Sequence, residues 1–137
     1  MPLFRHILIL FFILGVCIQA QAAGGGGGNT IASPYLALKP PFVLNVANGE
    51  EVHHLELAIS FVPLDATVNS LIAEHEAAIR HAIVILISGR QTSELNTTQQ
   101  KIKLREEITR EVNKVLLENT KKEEAIKRTL ITGFLIQ

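Results

Sequence analysis

Five histidines and thirteen carboxylates are the obvious chemical candidates in this chain, and their spacing decides what they are able to do. His75-Glu76 followed by His81 resembles a zinc-binding helix at first sight. That motif, H-E-x-x-H, needs its second histidine at position 79, which is Ile79. The longer gap turns His75 and His81 onto different faces of a helix, the wrong geometry for joint ligation. His75 falls instead between Ile72 and Ile79 in an apolar stripe, as a histidine at the edge of a core. His53 and His54 alternate across a strand, so at most one of them faces any given site. Glu50 and Glu51 stand at a turn; Glu74, Glu76, Glu106, Glu107 and Glu111 stand on helix faces. None of these acids has the shared cleft that paired carboxylates need for acid/base work. No serine occurs in G-x-S-x-G or S-x-x-K. The reading is no catalytic residue, no metal site, no cofactor and no enzyme. Arg80 and Arg105 are more informative, each set beside an apolar stripe next to Ile79 and Leu104. Such an arginine either lays its stem over the core with its head in water, or forms a salt bridge across a subunit contact.

The elements that would position these residues must come from a chain of 137 residues, enough for one domain with a modest core. A net charge of zero leaves no electrostatic footprint for nucleic acid. Trp is absent and Tyr35 stands alone, which argues against a base-stacking surface. The one cysteine, Cys17, lies in the N-terminal apolar segment and does not report the redox compartment.

Met1 to Ala23 opens with Arg5 and His6, runs apolar from Ile7 to Ile18, and closes on Ala20-Gln21-Ala22. The run is shorter than the roughly 20 residues that cross a bilayer. Residues 1–23 therefore read as a signal peptide cleaved after Ala22, with an uncleaved N-terminal membrane anchor as the rival. A lipoprotein signal at Leu14-Gly15-Val16-Cys17 is poor, because Val16 is bulky. Both main readings place the remainder outside the cytoplasm. Residues 24–34 follow as a flexible linker containing the unbroken run Gly24 to Gly28.

Residues 35–137 carry the domain. Tyr35 to Val46 reads as extended chain broken at Pro40-Pro41, and Asn48-Gly49 is a turn signal. Leu55, Leu57, Ile59 and Phe61 then alternate with His54, Glu56 and Ser60, the period of a half-buried antiparallel strand. Asp65 to Gly89 reads as a central helix with its apolar face at Val68, Leu71, Ile72, Ile79, Ala82, Ile83 and Leu86. Asp65 suits its front and Gly89 its end. This face is the largest that the hairpin has to pack against. Ile83 to Ile87 is apolar on every side and also admits a buried strand. Arg90 to Asn96 is a polar loop. Thr97 and Gln100 form a capping box for a second helix with the stripe Leu104, Ile108, Val112, Val115 and Leu116. A Glu106–Arg110 pair and Lys114, Lys121 and Lys122 suit that helix and its dipole. A turn over Lys121 to Glu124 leads to a final strand, Ala125 to Gln137. The fold class is α+β, ordered β-β-α-α-β, with a small antiparallel sheet packed on two helices.

These segments resemble the flagellar basal-body-associated FliL family over Tyr35 to Gln137. The first strand answers to a Y-x-x-L-x-P-F-V-x-N pattern through Tyr35, Leu38, Pro41, Phe42, Val43 and Asn45, with one extra residue at Pro40-Pro41. His75, Ile79, Arg80, Ile83 and Ser88 match the family's central helix. Gln99, Gln100, Lys101, Leu104 and Arg105 match its second helix start, with Gln100 where glycine is usual. Ile131, Thr132, Phe134 and Gln137 match its last strand. Ala77 stands where the family usually has proline after the central histidine. The resemblance implies a stomatin/prohibitin-like fold and a non-enzymatic accessory protein of the flagellar motor. In this picture the domain lies in the periplasm at the inner membrane, assembles into rings, and meets the stator proteins to support rotation, swarming and chemotactic motility. A free periplasmic FliL-like binding module with another envelope partner is the alternative. The matching residues are expected to be mostly structural.

The N-terminal reading makes a direct prediction. Protein purified from its native cell envelope is expected to begin at Ala23 when its N-terminal mass is measured. A retained Ile7–Ile18 segment in the membrane fraction would show the anchor instead.

Overall fold

A computed structural model of the protein describes residues 34–137. The leader or anchor over 1–23, its cleavage point after Ala22, and the linker over 24–34 up to its last residue lie outside the described residues. Along the described chain come β1 (Leu36–Asn48), β2 (Glu51–Pro63), α1 (Thr67–Glu74), α2 (Glu76–Ile87), a 3-10 turn (Thr92–Glu94), α3 (Thr98–Thr120) and β3 (Ile126–Ile136). The class is α+β, and the three strands form one antiparallel sheet in the order β1-β2-β3. Among the described residues, no helix is long and apolar enough to cross a membrane.

The hairpin forms where the turn signal places it. Asn48 pairs with Glu51, leaving Gly49-Glu50 as a two-residue connection. Gly49 alone takes the left-handed conformation there, with φ 67°. Glycine first in such a connection is the pattern of a type II′ turn, whose twist matches that of paired strands. Beyond the turn, the alternation of β2 becomes burial: Leu55, Leu57, Ile59 and Phe61 are each at most 1% exposed. Burying such side chains is worth about 1.5–3 kcal/mol apiece. β1 adds Leu38, Phe42, Leu44 and Val46 to the same layer. Its register slips between Leu38 and Phe42, around Pro40-Pro41. Proline has no N–H to donate to the ladder, so pairing lapses there and resumes at Phe42. In β3, Ile131 pairs with Ile59 and Gly133 with Ala58, so Thr132 is the extra residue of a second bulge.

The central helix is divided. α1 ends at Glu74 and α2 begins at Glu76, with His75 between them at φ −105° and ψ 17°. Hydrogen bonds bridge the bend from His75 N–H to the Leu71 carbonyl and from Ile79 N–H to the His75 carbonyl, both 3.0 Å. Val68 and Ile72 on one side, and Ile79, Ile83 and Ile87 on the other, keep helical spacing across it. The apolar pattern therefore carries no trace of the break. Ile83 to Ile87 is helical, and Gly89 follows the helix end with φ 79°.

α3, and not the 65–89 stretch, holds the layers together. It packs against β3, α2 and α1. The whole expected stripe, Leu104, Ile108, Val112, Val115 and Leu116, is buried. Its capping box is present: Gln100 N–H donates to Thr97 Oγ1 at 3.2 Å, and Thr97 N–H to Gln100 Oε1 at 2.9 Å. The loop before it departs from a purely polar reading, since Leu95 is wholly buried and Thr92 nearly so. The ion pairs also differ from the expected ones. Glu107, and not Glu106, is engaged, 2.7 Å from Arg90 and 4.0 Å from Lys103. Lys122 reaches away from the helix end to Asp65, at 2.8 Å.

That last contact fastens the start of α1 to the turn after α3. Asp65 Oδ1 accepts the N–H of Thr67 at 2.8 Å and also its hydroxyl, while Oδ2 accepts Lys122 Nζ. Lys122 donates to Thr67 Oγ1 as well, at 3.1 Å. The Lys122 ammonium, and after it Thr67, hold the Asp65 carboxyl far below the usual carboxylate range. An unfolded aspartate takes up its proton near pH 4, so in acid the unfolded state binds more protons than the folded one. Stability from Asp65 is therefore full above about pH 4 and fades as the pH falls further. Asp65→Asn is expected to lower the thermal midpoint at neutral pH, and the gap to the parent should shrink progressively in acid. A gap that stays constant with pH would exclude the carboxylate charge as its source.

Candidate functional site

The sheet has two edge strands, and at each one a cation from a neighbouring helix lies over a phenylalanine. On the β1 side, the Arg80 guanidinium of α2 sits 4.4 Å from the ring centre of Phe42. Its Nη2 donates to the Pro40 carbonyl at 2.9 Å. Its Nη1 lies 3.8 Å from Glu76 Oε1, one helical turn back. Arg80 thus ties α2 to the part of β1 where the prolines interrupt pairing. On the β3 side, Lys101 Nζ of α3 sits 4.5 Å from the ring centre of Phe134. Cations attract aromatic faces electrostatically, by about 0.5–2 kcal/mol according to exposure.

The rest of both edges is partly sealed. On β1, Ala47 N–H donates to the Arg90 carbonyl at 2.8 Å and Gly89 N–H to the Asn45 carbonyl at 3.3 Å. On β3, Asn113 of α3 accepts from the N–H groups of Ala125 and Ile126 and donates to the Ile126 carbonyl. Thr109 accepts from Thr129 N–H at 2.9 Å. Thr109 and Asn113 each follow a stripe residue, Ile108 and Val112, and so lie on the flank of the helix that faces the strand. The sequence placed Arg90 only in a polar loop and Glu107 only on a helix face, and it singled out neither Thr109 nor Asn113. Their only sequence signal is that position beside the stripe.

The residues singled out from sequence divide between these clusters and the frame. Phe42 is buried beneath Arg80, with Pro41 in the adjoining bulge. Ile79 and Leu104 are core. Lys101, Arg105, Thr132 and Phe134 line one cleft of about 400 Å³ between α3 and β3. Asn45 shares a hydrogen bond of 3.0 Å with the His54 ring. Gln137 exchanges backbone hydrogen bonds with His54, at 2.8 and 2.9 Å. Ser88 ends α2, His75 is half-buried at the helix bend, and Tyr35 is exposed just ahead of β1. His81 is exposed and His53 half-buried. Among the described residues, no three His, Cys, Asp or Glu side chains gather as a metal-ion set. Arg80 makes its contacts within the chain, whereas no ion pair engages Arg105 among the described residues.

The sheet face turned away from the helices is apolar in places. Val43, Glu56 and Leu135 stand in one row across the three strands, and Val43 and Leu135 are exposed at 71% and 48%. A hollow of about 560 Å³ opens beside the β1 bulge, lined by Ala37, Pro40, Pro41, Ala58 and Thr132 among others. This geometry offers binding surfaces.

Comparison with known proteins fits that picture. The family described as flagellar basal body-associated protein FliL matches residues 35–137. Flagellar protein FliL of Aquifex aeolicus (strain VF5) is 27% identical over 100 residues, covering 73% of this chain and 59% of that protein. The chain thus spans about three-fifths of that relative's length.

If Arg80 is an internal tie, Arg80→Ala should destabilise the domain by about 1–3 kcal/mol through the lost ring contact and charged hydrogen bond. Arg80→Lys should recover only part of this, since lysine lacks the planar fork. Urea unfolding measures both variants. Unchanged stability with reduced self-association would return Arg80 to the subunit-contact reading.

Proposed function

As the chain belongs to the flagellar basal body-associated FliL family, we propose that it is a non-enzymatic accessory protein of the flagellar basal body. The observation that carries this is the extent of the family match, which runs from Tyr35 to Gln137 and so takes in every strand and helix described above. Its work on this reading is binding: the domain stands in the periplasm at the inner membrane and supports the stator proteins, flagellar rotation and swarming. Chemotactic motility would depend on it through rotation.

Assembly of copies into a ring is part of the same proposal. Two features support it. Charge is divided along the chain, with Glu50, Glu51, Glu74 and Glu76 on the hairpin turn and central helices, and Lys127 and Arg128 on β3, which carries no acid. Unlike patches on one molecule favour head-to-tail contacts, which close into rings when the rotation permits. Exposed Val43, Val52 and Leu135 add apolar area on the outer sheet face.

Deleting the gene from its host should reduce swarming and motor torque, and the full chain supplied in trans should restore both. The protein should also co-purify with basal bodies. Normal motility of the deletion strain, with the protein absent from basal bodies, would favour a free periplasmic module serving another envelope partner.

A further inference from the structure

The cleft between α3 and the outer edge of β3 is shaped for a strand. Thr129 N–H points outward to α3, where Thr109 accepts it. Two residues on, Ile131 presents its backbone the same way, because direction alternates along a strand. Past the bulge at Thr132 the pairing of His54 with Gln137 fixes the phase. By the same alternation, Phe134 and Ile136 turn their backbone groups outward. The α3 side chains that seal the edge stop at Thr109: no hydrogen bond from α3 reaches the β3 backbone beyond Thr129 among the described residues. The sealed half of β3 thus gives way to an open half at the cleft of about 400 Å³.

The walls of that cleft specify charge. Ile102 and Leu130 give it apolar surface, and Lys101 and Arg105 stand one helical turn apart on its helix side. Among the described residues, no carboxylate lines it. Glu107, on the next turn of α3, is engaged by Arg90 and Lys103. Glu106 lies outside the cleft and lines the adjoining one, which Arg105 also borders together with Arg110, Lys127 and Arg128. Lys101 is held in place over Phe134, and Arg105 has no ion-pair partner among the described residues. An unpaired guanidinium beside an open strand edge is complementary to a carboxylate carried on an extended backbone.

We propose that this cleft receives an extended acidic segment of a partner protein, which pairs its backbone with β3 at Ile131, Phe134 and Ile136 and sets its carboxylates against Lys101 and Arg105. A second copy of the domain does not meet that requirement. Its other edge strand, β1 (Leu36–Asn48), contains no acidic residue, and β2 is already paired on both sides. The ligand is therefore a different protein, recognised through main-chain pairing with charge setting the choice of sequence. The inference stands apart from the flagellar assignment, since purified components test it.

The test uses the full chain and short labelled peptides that alternate glutamate with valine or lysine with valine. Fluorescence anisotropy should show the glutamate peptide binding, more weakly as salt rises, and the lysine peptide not binding. Replacing both cations (Lys101→Gln with Arg105→Gln) should weaken binding about tenfold or more. Lys114→Gln, whose ammonium faces Glu111 elsewhere on α3, should bind as the parent does. Hydrogen exchange on the unmutated chain provides a second reading that needs no variant: the amides of Ile131, Phe134 and Ile136 should slow when the glutamate peptide is added. Equal binding of the lysine peptide, equal affinity of the double variant, or unchanged exchange at those amides would overturn the proposal. So would binding confined to anionic phosphatidylglycerol vesicles, which would make the cations a lipid-headgroup site.

Discussion

Burial of one face of β2 is the constraint on which the structure turns. Leu55, Leu57, Ile59 and Phe61 lie in the middle strand, flanked on both sides, and leave water almost completely. A three-stranded sheet cannot cover its own face, so that apolar surface requires a second layer. The helices supply it, with α3 touching the sheet at β3 and α2 touching it at β1. α3 also packs on both α1 and α2, so a change in its stripe would be felt on every side.

Edges are the second problem such a small sheet must solve, because unpaired strands invite unwanted pairing. β1 is managed by the prolines, by Arg80 reaching the Pro40 carbonyl, and by the chain returning at Gly89 to Gln91. β3 is managed only in part, by Thr109 and Asn113. The two cation–phenylalanine contacts mark where these strategies diverge. Arg80 on Phe42 closes an edge, with its guanidinium engaged by the backbone. Lys101 on Phe134 borders an edge that stays open, beside Arg105, which makes no ion pair among the described residues. On the binding role proposed above, an edge left open beside two cations would serve as a recognition surface.

Several features were legible in the residues because their causes are local. Thr97 and Gln100 cap a helix through atoms three residues apart, and the hairpin turns where glycine permits positive φ. Other features depend on partners distant in the chain. Leu95 looks like a lone apolar residue in a polar loop, yet it is core once the loop is laid against the folded layers. Lys122 reads as a complement to a helix dipole, but Asp65, 57 positions away, takes its ammonium. The bend at His75 leaves no mark because the apolar residues on both sides share one face.

The sequence by itself determined the buried faces and the order of strands and helices, apart from the division of the central helix at His75. These rest on periodicity, capping and turn chemistry within a few residues, whereas the family resemblance rests on matching motif residues along the chain. It also picked out Phe42, Arg80, Lys101, Arg105 and Phe134. Only the tertiary structure decided that Arg80 is spent on an internal tie while Arg105 faces an open cleft. Two arginines with the same local surroundings, each beside an apolar stripe, are indistinguishable until the chain brings a strand edge to one and a carbonyl to the other.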